Sequence, residues 1–197
     1  MCGIVGGVTN RDITPLLLDG LKRLEYRGYD SSGLVVLSKK NSLDRARSVG
    51  KVNNLVENLK TRKNKIKGNI GIAHTRWATH GEPAKHNAHP HISNQVVSVV
   101  HNGIIENYLE LKDSQIKQGY KFTSDTDTEV IAHAIDFAMQ SNNTLLHSVQ
   151  KAIKTFEGAY GLGIISPHYP NSIIATRKGS PLVIGIGKYG NYIASDQ

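Results

Sequence analysis

The one cysteine of the chain stands at position 2, directly after Met1. Removal of Met1 is expected because a small residue follows it, and removal would place a thiol and a free α-amine on the same carbon. An α-amino group has a pKa of about 8, so this amine can accept the thiol proton directly or through one water. A nucleophile paired with the terminal amine is an established activation scheme. Position 2 therefore predicts a hydrolase whose nucleophile and base share one residue.

A single cysteine is more often a small buried hydrophobic residue than a nucleophile. The residues that follow Cys2 favour the catalytic interpretation, because the apolar run 4–8 is typical of a strand in a buried sheet. Gly3, Gly6 and Gly7 would allow backbone or substrate to approach closely. A strand held rigidly in a core is where a terminal nucleophile has to lie.

The elements that must position this residue are predicted from apolar periodicity. Strand-like runs lie at 4–8, 34–37, 70–73, 96–100, 162–165, 172–175, 182–186 and 192–194. Helical periodicity appears at 13–24, 52–59, 106–118, 128–139 and 144–156. Strands cluster at both ends with helices between and around them, which favours sheets packed on each other and covered by helices, an α+β fold. A four-layer sandwich is one arrangement that this pattern allows.

Residues 126–129 (TDTE) match a capping box ahead of an apolar periodic stretch. The match predicts that a helix begins there, with Asp127 in its first turn. A negative charge is favourable at that end of a helix because of the backbone dipole.

Composition limits the classes of protein that remain. The chain has 197 residues and predicts one domain, 1–197. No stretch approaches the roughly 18 apolar residues of a membrane helix, and the N-terminus has no secretory signal. A single cysteine excludes an intrachain disulfide and fits a cytoplasmic protein. The net charge of +8 owes much to residues 60–67, which are typical of a solvated loop without base-stacking aromatics, so neither nucleic acid nor membrane is an expected partner.

Four further segments are too unusual to serve as scaffold alone. Residues 24–33 (LEYRGYDSSG) form a polar turn between a predicted helix and strand. Residues 73–83 (AHTRWATHGEP) follow a predicted strand and hold the only tryptophan. The other two segments are 87–91 (NAHPH) and 101–107 (HNGIIEN), the latter with an Asn-Gly pair at the end of a predicted strand.

Together with residues 1–6 (MCGIVG), these segments resemble the glutaminase domain of the N-terminal-nucleophile glutamine amidotransferases. The resemblance covers essentially the whole chain and implies the four-layer αββα sandwich of that family. It is strongest for the members that aminate fructose 6-phosphate, which the tracts 24–33, 74–83 and 126–130 resemble. The amidophosphoribosyltransferase type shares the Cys-Gly-Ile start and the Arg-Gly turn but not the tract HTRWATHG.

The resemblance implies a role for each polar group that must recognise glutamine. Arg76 resembles the clamp for the substrate carboxylate, a geometry that guanidinium suits. Asp127 resembles the partner of the substrate ammonium, and Asn102 with Gly103 resembles an oxyanion hole. Each has a structural alternative that the sequence leaves open: a surface ion pair for Arg76, a helix cap for Asp127 and a type I′ turn for Asn102-Gly103.

The remaining assignments also rest on the resemblance. Trp77, Thr79 and His80 resemble a mobile loop that closes over glutamine and excludes water. Arg27 and Gly28 resemble the turn beside the nucleophile, although Arg27 is equally well explained as a structural anchor.

No cofactor or metal is expected. The spacing His86-x-x-His89-x-His91 offers imidazoles to zinc, but no second cysteine or His-Glu helix pattern accompanies it. The thioester chemistry implied by the resemblance needs no metal.

The implied reaction is hydrolysis of L-glutamine to glutamate and ammonia through a γ-glutamyl thioester on Cys2. The resemblance also implies a partner, a sugar-phosphate isomerase domain that is absent from this chain, and a homodimer for the full-length enzyme. The end of the sequence resembles a point inside the family's domain, so its C-terminal part is expected to be missing. Two alternatives stay open: the glutaminase domain of another amidotransferase, of the amidophosphoribosyltransferase type, and a non-catalytic glutamine-binding fragment.

Overall fold

The apolar run that follows Cys2 forms a central strand of a sheet. The structure, a computed structural model, describes residues 2–196. Strand β1 (Gly3–Thr9) pairs antiparallel with β4 (Ile70–Arg76) on one side and β10 (Gly190–Ala194) on the other. The segment after Cys2 is therefore held by backbone hydrogen bonds on both edges.

Ten strands within residues 2–196 form two antiparallel sheets. The first, in the order β3-β2-β4-β1-β10-β9, adds β2 (Ser31–Leu37), β3 (Leu43–Val49) and β9 (Val183–Gly187) to the three strands above. The second, in the order β5-β6-β7-β8, consists of β5 (His91–Ser93), β6 (Val97–Ile105), β7 (Gly158–Ile165) and β8 (Ile174–Lys178).

The part of the chain that the structure describes also has five α-helices, which lie outside the two sheets. They are α1 (Thr14–Leu24), α2 (Val52–Thr61), α3 (Tyr108–Lys117), α4 (Glu129–Met139) and α5 (Leu145–Ala152). Leu17 and Leu21 of α1 and Leu55 of α2 are fully buried against the first sheet. Helices α4 and α5 pack in the same way on the second sheet.

The central strands β2 and β4 of the first sheet are buried on both faces because both faces are covered. Leu34 and Val36 of β2 pack beneath α1 and α2, whereas Val35 points to the other side. There it joins a cluster to which β6 contributes Val100 and β7 contributes Ile165. The layers are thus helix, sheet, sheet, helix, and the expected α+β, αββα sandwich is confirmed.

The structure corrects several sequence-based boundaries. Strands β3 and β5 were not predicted, and β8 begins two residues later than the run 172–175 suggests. In β3 the side chains of Arg45 and Arg47 donate to carbonyls of residues 86–90, and these arginines interrupt the apolar run that identifies the neighbouring strand β2.

The capping-box prediction is wrong in detail. Helix α4 begins at Glu129, and Asp127 lies in the turn before it. The Glu129 carboxylate accepts hydrogen bonds from the backbone N–H groups of Thr123 and Ser124, at 3.0 and 2.7 Å. It is therefore engaged with the preceding loop, and the Thr126 hydroxyl is instead 3.1 Å from Nε2 of His91.

No helix within residues 2–196 is both long enough and apolar enough to cross a membrane.

Candidate active site

Cys2 lies at the end of β1, where that strand meets the end of β4. Gly3 pairs with Thr75, and the backbone N–H of Trp77 donates to Cys2 Sγ at 3.2 Å. The thiol in turn is 3.5 Å from the Trp77 carbonyl oxygen. Burial raises the pKa of the Cys2 thiol, and the Trp77 hydrogen bond opposes this only in part. The thiol form is therefore favoured at neutral pH, and a base is needed to form the thiolate.

Asn102 connects the second sheet to the residue that carries the thiol. Its Nδ2 donates to the carbonyl oxygen of Cys2 at 2.9 Å, and the residue is 6% exposed. Asn102 and Gly103 both lie inside β6, paired with Gly161 and Tyr160 of β7. The type I′ turn considered for this pair is therefore wrong.

Gly103 is a position that no other residue can occupy without rearrangement. Its φ is +132°, and an added Cβ would lie 2.0 Å from the Ala159 carbonyl oxygen. The strand passes this close to β7 because the side chain is absent. The backbone beside Asn102 is shaped by that contact.

Arg76 is buried, which excludes the surface ion pair as its role. Its guanidinium is 3.3 Å from Asp30 and donates to the carbonyl oxygens of His80, Gly81 and Glu82. Asp30 in turn donates its backbone N–H to the Arg76 carbonyl at 2.7 Å. Arg76 thus fixes the path of the loop that follows β4, a loop that begins at the amide bonded to the thiol.

The side chains of that loop have different environments. The Trp77 indole is 54% exposed and packs directly on Gly28. Thr79 is exposed, and the half-buried His80 ring lies 5.0 Å from the ring of Tyr108 at the start of α3. Gly28 and Trp77, assigned separately from the sequence, are therefore in direct contact.

Asp127 is buried and held by the end of β6. Its Oδ2 accepts the backbone N–H of Ile105 at 2.8 Å and lies 3.9 Å from Nδ1 of His101. It is not the helix cap, because Thr128 occupies the N-cap position of α4 and the Asp127 carboxylate binds Ile105 instead. The structure brings this carboxylate to the same strand that carries Asn102 and Gly103.

Arg27 connects the turn beside Cys2 to residues 195 and 196. It forms an ion pair with Asp196 at 2.8 Å and donates to the Ser195 carbonyl at 3.3 Å. Ser195 itself accepts the backbone N–H of Ile4 through its hydroxyl at 2.9 Å. These contacts support the anchoring interpretation of Arg27.

Four buried histidines lie between the sheets next to these residues. His74 stacks on His89 with ring centroids 4.1 Å apart, and His91 meets His89 edge to face at 4.8 Å. His101 and His89 both contact the Thr128 hydroxyl. Burial lowers the pKa of all four, that of His74 to about 3, so the imidazoles are neutral at physiological pH.

The spacing His86-x-x-His89-x-His91 does not produce a chelating group. His86 is on the surface 3.2 Å from Asp125, while His89 and His91 are buried and hydrogen-bonded to other partners. Within residues 2–196, no cluster of three or more His, Cys, Asp or Glu side chains is arranged to hold a metal ion.

Sequence reasoning did not assign three residues that the structure places at the site. Asp30 and His74 lie within segments singled out for their unusual composition, so that signal was present without a role attached. Ser195 carried no signal at all, because its partner Ile4 is 191 residues away in sequence.

The architecture is that of the N-terminal-nucleophile amidotransferase domains. The glutamine phosphoribosylpyrophosphate amidotransferase from B. subtilis, solved in complex with ADP and GMP, superimposes with a TM-score of 0.83 at 27% identity, covering 98% of this chain and 42% of that one. A glutamine aminotransferase class-II domain protein from Silicibacter pomeroyi has a TM-score of 0.65 at 11% identity, covering 98% of this chain and 88% of that chain, and shares the fold alone.

Residues 74–196, more than half of the chain, match the family described as the glutamine amidotransferase domain. The chain belongs to the glutamine amidotransferase family. It is similar to the proteins named glutamine–fructose-6-phosphate aminotransferase [isomerizing] from Acinetobacter baylyi (57% identical) and Pseudomonas aeruginosa (54%). Each match covers 100% of this chain and 32% of the relative, so the chain spans about a third of these relatives' length.

Replacing Gly28 with alanine is expected to displace the Trp77 indole. The new Cβ would lie 1.8 Å from Cε3 of the ring, at a φ of +99° that already disfavours alanine. Because Trp77 is the only tryptophan, its fluorescence reports the change directly. We expect a longer emission wavelength and stronger acrylamide quenching.

Gly119→Ala is the matched control, because Gly119 has a φ of +92° and no atom within 4 Å of the added Cβ. It carries the same backbone strain without the steric contact. Unchanged Trp77 emission in both variants would show that Gly28 does not determine the position of the indole.

The alkylation rate of Cys2 by iodoacetamide is expected to rise with pH, because only the thiolate reacts. Burial raises the pKa of this thiol, so the thiolate fraction grows at higher pH than in the unfolded chain. We expect the midpoint of the folded protein to lie above that of the same chain in urea. A folded midpoint at or below the unfolded one would contradict the desolvated environment.

Proposed function

We propose that residues 1–197 form a glutaminase domain that hydrolyses L-glutamine to glutamate and ammonia through Cys2. The observation that carries the proposal is the convergence of Cys2 and Asn102. The thiol lies at the end of the buried strand β1, and the Asn102 amide reaches from the opposite sheet to the carbonyl of the same residue. Membership of the glutamine amidotransferase family supplies the substrate class.

In the proposed reaction the free α-amine of Cys2 accepts the thiol proton after Met1 has been removed. Met1 lies outside the described residues 2–196. The raised pKa of the thiol supports this role for the amine, because a thiol that is protonated at neutral pH needs a base before it can attack. The thiolate then attacks the side-chain carbonyl carbon of glutamine.

The negative charge that develops on the carbonyl oxygen is proposed to meet Asn102 Nδ2 and the Gly103 N–H. When the carbon–nitrogen bond breaks, the leaving amine takes the proton held by the terminal amine and departs as ammonia. Water attacks the resulting γ-glutamyl thioester with the same amine as general base, which releases glutamate and regenerates the thiol. Removing one oxyanion donor typically costs about 3 kcal/mol of transition-state stabilisation.

Arg76 and Asp127 are proposed to bind the carboxylate and the ammonium of glutamine. Four contacts of the Arg76 guanidinium now go to Asp30 and to the carbonyls of residues 80–82. A substrate carboxylate would replace some of those carbonyls, so glutamine binding and rearrangement of the loop are coupled. Trp77, Thr79 and His80, all on that loop, would then cover the substrate, with Arg27 and Gly28 supporting the loop from beneath.

The ammonia acceptor is proposed to be fructose 6-phosphate, which would yield glucosamine 6-phosphate. Support comes from the relatives that are 53–57% identical over the whole chain and named glutamine–fructose-6-phosphate aminotransferase [isomerizing]. A sugar-phosphate isomerase domain in the remainder of the protein, a homodimeric enzyme and a cytoplasmic location complete the proposal. Similarity to the B. subtilis amidotransferase at 27% identity gives weaker support to a phosphoribosyl acceptor.

The glutaminase proposal is tested by the intact mass of the protein before and after treatment with a diazoketone analogue of glutamine. We expect loss of Met1 and one covalent adduct, blocked by excess glutamine. In Cys2→Ala we expect no adduct, and glutamate release lower by more than about 1,000-fold. Retained Met1, or a processed chain that takes no label and releases no glutamate, would favour the non-catalytic glutamine-binding fragment.

The acceptor is tested separately with the full-length protein and glutamine. We expect an amino sugar phosphate to form from fructose 6-phosphate and no product from phosphoribosyl pyrophosphate. The reverse result would assign the chain to the amidophosphoribosyltransferase type while leaving its glutaminase chemistry intact.

A further inference from the structure

The side-chain amide of Asn102 has two neighbours in the first sheet, and both determine its orientation. On one side, Nε2 of His74 lies 2.9 Å from the His101 carbonyl oxygen and 3.0 Å from Asn102 Oδ1. On the other side, the Cys2 carbonyl oxygen lies 2.9 Å from Asn102 Nδ2.

The chemistry of these contacts assigns the protons. A backbone carbonyl only accepts, so the bond to the His101 carbonyl requires a hydrogen on His74 Nε2. The Asn102 atom at the same nitrogen must then be the acceptor Oδ1. The amide NH₂ consequently faces Cys2. One of its two hydrogens binds the Cys2 carbonyl oxygen, which leaves the second for another acceptor.

The surroundings of His74 favour a neutral imidazole with its hydrogen on Nε2. The residue is fully buried, and its ring lies parallel to that of His89, with 12° between the planes. Desolvation lowers the pKa of His74 to about 3, so the ring is neutral and carries one N–H. That hydrogen stays on Nε2 because two acceptors meet it there, while Nδ1 is buried without a hydrogen-bond partner in residues 2–196.

We propose that His74 is a positioning residue for the oxyanion hole. Its Nε2–H holds Asn102 Oδ1, and this contact keeps the amide NH₂ directed towards the substrate carbonyl oxygen, which becomes negative when the Cys2 thiolate attacks the carbonyl carbon. Without the contact the amide can rotate by 180° about its last bond and present oxygen to the developing negative charge. The inference rests on the proposed glutaminase function and deepens it, because it assigns the group that orients one of its two oxyanion donors.

The test compares His74→Phe, which removes the donor, with His74→Gln, which restores an N–H near the same place. We expect His74→Phe to lower kcat for glutamine hydrolysis by roughly 10- to 100-fold, up to the loss from deleting an oxyanion donor, with a small change in KM. His74→Gln should recover part of the loss. His133→Phe removes a buried histidine that does not contact Asn102 and should retain the parent kcat.

Two readouts separate positioning from damage to the fold. Alkylation of Cys2 by iodoacetamide has no oxyanion, so its rate should match the parent in His74→Phe. In an Asn102→Ala background, His74→Phe should cause no further loss, because the group it orients is absent. If His74→Phe does not fold, His74→Asn replaces it, since the shorter amide cannot span the distance to Asn102.

The outcomes distinguish this inference from the function on which it rests. A parent protein that neither releases glutamate nor takes the glutamine analogue would overturn both. An active parent with additive losses in the double variant, or with His74→Phe as active as the parent, would overturn the positioning role alone. Equal loss of alkylation and hydrolysis would show that His74 acts only through the fold.

Discussion

The candidate site depends on how β1 is held, because Cys2, the residue immediately before this strand, carries the thiol. Backbone pairing to β4 and β10 fixes the strand on both edges, and the Ser195 hydroxyl accepts the N–H of Ile4. Gly3 is required at the end of the strand, since an added Cβ would lie 2.6 Å from Thr75 Oγ1 and 2.8 Å from Leu24 Cβ. The start of β1 is thus confined by contacts from segments far away in sequence.

The space between the two sheets has an apolar half and a polar half. Ile4 and Ile72 of the first sheet meet Val100 of the second, and this half contributes stability through burial of apolar surface. Further along the same strands the facing residues become His74 and Asn102. Burying polar groups is costly unless they form hydrogen bonds, and His74 Nε2 and Asn102 Oδ1 satisfy one another across the sheets at 3.0 Å. His74 Nδ1 is an exception, buried without a hydrogen-bond partner in residues 2–196.

Apolar runs and periodicity in the sequence predicted eight of the ten strands and all five helices described in residues 2–196. Prediction failed where a long-range contact decides the local structure. Strand β3 was missed because Arg45 and Arg47 satisfy carbonyls of a distant loop. The Asn102-Gly103 turn was wrong because close pairing with β7 keeps this pair in extended strand, and Glu129 binds the preceding loop rather than completing a capping box.

The sequence by itself determined the nature of the chemistry: a single thiol at position 2, an apolar strand to hold it, and the polar tracts that surround it. These are local properties, because residue type and spacing along one segment specify them. Only the tertiary structure decided that Arg76 is enclosed by its own loop, that Gly28 supports Trp77 and that His74 orients Asn102. Each of these depends on the packing of segments that are far apart in sequence. The periodicity of residue types along one segment does not specify which distant segment will contact it.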